Sequence, residues 1–208
     1  MDHDASIARA KFIDQSVETR QAFSFASPAE IIRALQVYNS SHYGSMLWDL
    51  DGDAACQYFN SWTTAIKLAW DCPRGTRTYL VQQVLACGTS SARTDILARY
   101  CRFFKSLRNS PSREVAVLAN LIARDRRSVT GGNVQLVMQV SGCNVWTDSP
   151  GQVRAGLMKK ETVAVEDCDK WRIKYLGTLL EHRQEWQYLG SDEEVEEIQK
   201  LVDSLCVN

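Results

Sequence analysis

The sequence predicts an all-α protein, an irregular multi-helix bundle of about seven to nine helices. Three observations predict it. Gly (11) and Pro (4) are scarce among the 208 residues, together about 7% where ~12% is usual, so the chain is poor in the turns that many short strands need. Apolar residues recur three and four positions apart over several turns. Segments of this kind open repeatedly on Ser, Thr or Asp followed by Pro or Glu, which are helix start signals.

The elements follow in chain order. Ser27-Pro28-Ala29-Glu30 reads as a capping box with proline at the first helical position. The helix it opens sets Ile31, Leu35 and Tyr38 on one face. Asp53 is placed to cap a second helix, with Ala55, Tyr58, Phe59, Trp62, Ile66 and Trp70 as its stripe. Cys72-Pro73-Arg74-Gly75 breaks the chain. Thr76 is placed to cap a third helix with Leu80, Val84 and Leu85 inward, stopped at Gly88. A fourth runs from about Ser91 to Leu107 with Leu97, Tyr100, Phe104 and Leu107 inward. Ser110-Pro111 opens a fifth, aligning Val115, Leu118, Ala119 and Ile122, and Thr130-Gly131-Gly132 is read as its terminator. Asn133–Val140 is apolar and too short for its period to separate helix from strand. Ser149-Pro150-Gly151 is another start. Trp171, Tyr175, Leu179 and Trp186 predict a helix over about Asp169–Tyr188. A second capping box at Ser191-Asp192-Glu193-Glu194 leads into Val195, Ile198, Leu201, Val202 and Leu205.

Composition narrows the class. The chain is 45% hydrophobic and 24% charged, as in an ordinary globular protein, and its length suffices to bury roughly 70% of the unfolded surface. No apolar run approaches the ~20 residues of a membrane span. Met-Asp-His-Asp-Ala at the start is acidic and lacks the apolar stretch of a signal peptide. Seven cysteines at 56, 72, 87, 101, 143, 168 and 206 include no Cys-x-x-Cys pair. No zinc site is drawn from them, and their odd, scattered number fits a reduced intracellular protein, with nucleus and cytoplasm both open.

No active site assembles from the motifs, and neither catalytic residue, metal nor cofactor is expected. Asp49-Leu50-Asp51-Gly52-Asp53 resembles a calcium loop only superficially. Its glycine is at position 4 rather than 6, and position 12 is Asn60 rather than a bidentate Glu. His42, beside an aromatic cluster, reads as a partly buried histidine bonded to backbone. There is no phosphate loop, dinucleotide turn or nucleophile elbow.

Charge is the one chemical signal. The formal net charge of −1 conceals an uneven distribution. Residues 1–73 are net acidic, 74–127 carry 11 basic against 3 acidic groups, and 128–208 are net acidic again. Arginine dominates the middle, and its planar fork suits bidentate phosphate contacts. With the apolar set of the fourth helix inward, Arg99, Arg102 and Arg108 face mainly outward. Arg99, Arg102, Lys105, Arg108, Arg124, Arg126 and Arg127 are the candidate nucleic-acid-binding residues. The competing reading is that the acidic flanks neutralise them.

Two stretches are more distinctive. Ser41-His42-Tyr43-Gly44-Ser45-Met46-Leu47-Trp48-Asp49-Leu50 is followed by Trp62, Lys67 and Trp70, and then by Cys72-Pro73-Arg74-Gly75-Thr76-Arg77-Thr78. Together they resemble the region after the polymerase domain in LINE-type non-LTR retrotransposon polyproteins. That region has a Tyr-Gly-x-x-Leu-Trp-like motif, a Trp-rich helix and then Leu-Pro-x-x-Thr-His or a variant. Arg99-Tyr100-Cys101-Arg102-Phe103-Phe104, Ser110-Pro111 and the Trp171-Arg172 helix are similar too, so the resemblance spans roughly residues 8–206. Cys72 stands where Leu is common and Arg77 where His is common, so no role of that His carries over.

The resemblance implies a part of a reverse transcriptase, without its catalytic centre. The family's palm holds two metal ions on a Tyr/Phe-x-Asp-Asp motif, and this chain has no Asp-Asp pair. It implies a thumb-like helical region over 1–130, with basic helices at 74–127, and a C-terminal helical region over 131–208 with an acidic final helix. The partners implied are the backbone of RNA or an RNA/DNA duplex and a polymerase-domain neighbour, with no membrane and no small-molecule substrate. The alternative is a helical protein–protein interaction module with no nucleic-acid role.

Overall fold

A helix begins where a side chain accepts a hydrogen bond from a backbone amide that the helix itself leaves unpaired. The computed structural model, which describes residues 2–39, 42, 44–70, 72 and 91–162, shows this at several starts. Around Ser27 the capping box is complete. The Ser27 amide donates to Glu30 Oε2 at 2.9 Å and the Glu30 amide to Ser27 Oγ at 3.4 Å. Ser91 accepts from the Thr94 amide, Ser112 from that of Val115, and Ser128 from that of Gly131.

Seven α-helices and no strand are found among the described residues, 77% of which are helical, so the fold is all-α. They are α1 (Asp2–Ala22), α2 (Pro28–Asn39), α3 (Asp53–Ala69), α4 (Ala92–Arg108), α5 (Arg113–Arg124), α6 (Val129–Ser141) and α7 (Pro150–Thr162), with a 3-10 turn at Ser45–Leu47. The helices expected over 76–88, 169–188 and 191–206 lie outside the described residues.

Several details differ from the sequence pattern. α1 carries no wide apolar stripe. It packs along α3 through a narrow seam of Ala5 and Phe12, both buried, with Thr19 a further seven residues on. The cap of α3 is Gly52, and Asp53 is its first residue, where a carboxylate favours the helix dipole. Tyr38 is exposed and stacks on Phe23 at 6.5 Å instead of entering the core. Asn133–Val140 is helical, and α6 starts before it. Gly131 and Gly132 therefore occupy its first turn and do not end the preceding helix. Gly131 is required there by close approach, because any Cβ would overlap the Asp125 carbonyl. The expected boundary at residue 130 falls inside this helix.

One apolar cluster runs from Phe12 and Leu35 through Tyr58, Trp62 and Phe104 to Val137 and Leu157. Phe12 stacks on Trp62 at 4.3 Å, and Trp48 meets Tyr58 edge-on at 5.1 Å. α4 is the central helix, packing on α3, the 3-10 turn, α5, α6 and α7. The loop before α3 is tied to α6 by one amide. Buried Asn133 donates through Nδ2 to the Trp48 carbonyl at 2.7 Å and accepts the Leu50 amide at 2.9 Å. Just upstream, Gly44 holds φ +78°, a left-handed conformation that side-chain-bearing residues rarely adopt.

Candidate nucleic-acid interface

α4 buries Ile96, Leu97, Tyr100, Cys101 and Phe104 on its inner side. Arg99 and Arg102 fall on the opposite side and are exposed, and Lys105 is half-buried at the margin. Arg99 lies close enough to buried His42 to disfavour its protonation. That imidazole bonds the Tyr58 hydroxyl at 3.1 Å, and burial first, then Arg99, lowers its pKa to about 4, against a smaller opposing effect of Asp95.

Arg108 does not share the outward face expected for it. It stands four residues after Phe104 and seven after Cys101, so 3.6 residues per turn bring it round to the inner margin. Its guanidinium donates to Asn120 Oδ1 at 3.0 Å and to the Trp146 carbonyl at 3.1 Å, and lies 4.8 Å from the centre of the Trp146 ring. These contacts join α4, α5 and the loop before α7, leaving the fork committed to the fold.

Arg124 ends α5, where a cation suits the helix C-terminus. Arg126 and Arg127 occupy the turn into α6, and all three are exposed. The turn is braced from within. Asp125 Oδ1 accepts the Arg127 amide at 3.0 Å, the Ser128 hydroxyl donates to the Ile122 carbonyl at 2.7 Å, and the Tyr100 hydroxyl reaches the Thr130 carbonyl at 2.9 Å. Burial holds the Tyr100 phenol well above its ordinary pKa, so it stays a donor.

The sequence-predicted cations thus form two groups, one along α4 and one at the α5–α6 turn. Among the described residues none of Arg99, Arg102, Lys105, Arg124, Arg126 and Arg127 has an ion pair. An exposed pair joins Arg154 to Asp95 at 3.8 Å. The described residues contain no cluster of three or more His, Cys, Asp or Glu able to hold a metal, and no described helix is long and apolar enough to cross a membrane.

Two features escaped the sequence pattern. α5 buries only Ala119 and Ala123, while Val115, Leu118, Leu121 and Ile122 are between 37% and 61% exposed. The aligned set is therefore split, with its alanine facing the core and its larger members facing out. The signal was present, because α5 has more large apolar residues than one core-facing stripe requires. The second is a groove of about 500 Å³ between α1, α2 and α3, lined by Val17, Arg20, Ile31, Leu35 and Leu68 among others. Comparison of the chain with protein-family models, curated proteins and solved structures gives no match.

Proposed function

We propose that this chain is a catalytically inert helical segment of a retrotransposon-type reverse transcriptase that binds the phosphate backbone of RNA or an RNA/DNA duplex. The contacts are assigned to Arg99, Arg102 and Lys105 on α4 and to Arg124, Arg126 and Arg127 at the α5–α6 turn. Arg108 is left out because it is half-buried and two of its donors bond Asn120 and the Trp146 carbonyl. The observation that carries the reading is a set of six cations, five exposed and Lys105 half-buried, without ion pairs among the described residues. Such cations attract phosphate without reading sequence. The link to reverse transcriptases rests on the resemblance of the Ser41–Leu50 and Cys72–Thr78 stretches.

Fluorescence anisotropy with a labelled RNA/DNA duplex tests the backbone contact. If all six cations meet phosphates of the duplex, the logarithmic salt slope should be about −5, and changing Arg124, Arg126 and Arg127 to Gln should flatten it by about 3. Absence of binding at about 50 mM salt, or an unchanged slope in the triple variant, overturns the reading. A second reading, the protein-interaction module, is favoured by the exposed Val115–Ile122 edge of α5.

A further inference from the structure

Large apolar side chains cover the solvent side of α5. At about 100° per residue, Leu118 and Leu121 stand roughly 60° apart and nearly opposite the Ala119–Ala123 edge that meets the core. Val117 flanks them on one side, Val115 and Ile122 on the other, and all five are exposed. The outward apolar arc therefore spans about 160°, wider than the ~100° stripe with which a surface helix meets its own core.

Arginines frame the arc. Arg113 and Arg124 fall on the Val117 flank, about 16 Å apart along the axis, and Arg126 and Arg127 lie just beyond the C-terminal end. All four are exposed. The two nearby acids are held locally. Glu114, in the first turn, accepts the Ser112 hydroxyl at 2.7 Å, and Asp125 accepts the Arg127 amide at 3.0 Å.

This pattern selects among occupants. A second copy is disfavoured by charge. A two-fold antiparallel pairing sets Arg113 of one copy against Arg124 of the other, and a parallel pairing brings the two Arg124–Arg127 turns together. A duplex meets the arginines through its phosphates and leaves the aliphatic arc in water. Protein contacts are most often anchored at their centre by Trp, Tyr or Arg, whereas the centre here is Leu118 and Leu121. An anionic bilayer accommodates both parts. Aliphatic side chains enter the acyl boundary while marginal arginines reach the headgroup phosphates and carboxylates.

We propose that α5 docks this protein on the surface of an anionic lipid bilayer, with Leu118 and Leu121 inserted and Arg113, Arg124, Arg126 and Arg127 at the headgroups. A helix lying in the plane of the interface needs neither the length nor the uniform apolarity of a span. The contact does not depend on the proposed duplex binding. Arg124, Arg126 and Arg127 serve both, but the aliphatic arc takes no part in that reading.

Sedimentation of the full chain with vesicles tests it. Phosphatidylcholine vesicles containing about 30% phosphatidylserine should carry the protein down, and phosphatidylcholine alone should carry down far less. Combining Leu118→Gln and Leu121→Gln should weaken binding about tenfold or more. Both side chains are exposed, so urea unfolding and duplex affinity of this variant should be unchanged. Combining Arg113→Gln and Arg124→Gln should weaken vesicle binding about 30-fold. No sedimentation with the anionic vesicles, equal sedimentation with the neutral ones, or unchanged binding of the leucine variant overturns the proposal. Loss of duplex binding in the leucine variant also overturns it, because the arc then belongs to the nucleic-acid contact.

Discussion

α4 and α5 are consecutive, basic and in contact, yet they relate to the core in opposite ways. α4 sends its large side chains inward and uses even an arginine, Arg108, to tie neighbouring elements together. α5 meets the core through two alanines and turns its Val, Leu and Ile side chains toward solvent. On α4 the exposed arginines decorate a helix whose position is fixed by burial. On α5 they border an exposed apolar surface. A basic stripe thus has two meanings in one molecule, and only burial separates them.

The comparison breaks first at Phe104, the aromatic anchor of α4. Phe104→Ala should cost about 3–5 kcal/mol, because the ring is fully buried and packs on Tyr100 and Trp146. Urea unfolding monitored by circular dichroism measures this. The polar tie on the far side of α4 comes next. Asn133→Ala leaves the Leu50 amide and the Trp48 carbonyl without their partner, at roughly 2–4 kcal/mol in the same assay.

His42, beside Arg99, gives the inner side a pH dependence. Burial keeps the ring neutral down to about pH 4, whereas an unfolded histidine protonates near 6.5. The unfolded state therefore binds the proton first as pH falls. The stabilising contribution is complete above pH 6.5 and is lost on approaching pH 4, by roughly 2–3 kcal/mol at pH 4.5. Thermal unfolding of the chain and its His42→Gln variant at pH 7 and pH 4.5 isolates that loss, which the variant should lack.

The smallest effect sharpens the contrast within α4 itself. Arg108→Lys should cost about 1–2 kcal/mol, since an ammonium cannot replace the fork that bonds Asn120 and the Trp146 carbonyl while lying over the indole. Arg102→Lys, on the exposed side, should change unfolding by less than about 0.5 kcal/mol. Equal costs at both positions would remove the distinction between structural and available arginines.

What was legible in the sequence was whatever local chemistry decides. The Ser27–Glu30 capping box, the aromatic stripe of α3 and the Ser91 cap all depend on residues a few positions apart. α1 escaped because helix-on-helix packing can use a seam as narrow as Ala5 and Phe12, too sparse to stand out as a stripe. Gly131 and Gly132 pointed the wrong way because glycine's usual role as a stop was overridden by the pressure of the Asp125 carbonyl on the helix start. At the candidate site, charge density was readable, but the commitment of Arg108 was not. Its partners Asn120 and Trp146 lie 12 and 38 residues away, and no local spacing announces them. The split of the α5 stripe was hidden for the same reason, since only tertiary packing decides which edge meets the core.

The Asn133 amide also sets an order of events during synthesis. The Leu50 amide and the Trp48 carbonyl have their partner 83 and 85 residues downstream. At translation speeds of about 5–20 residues per second, Asn133 is made some 4–17 s after the loop it closes. Throughout that interval the nascent chain carries the α3 loop with these backbone groups unsealed by α6. Until Asn133 arrives, water satisfies those two groups, and the loop is sealed only when α6 packs against it.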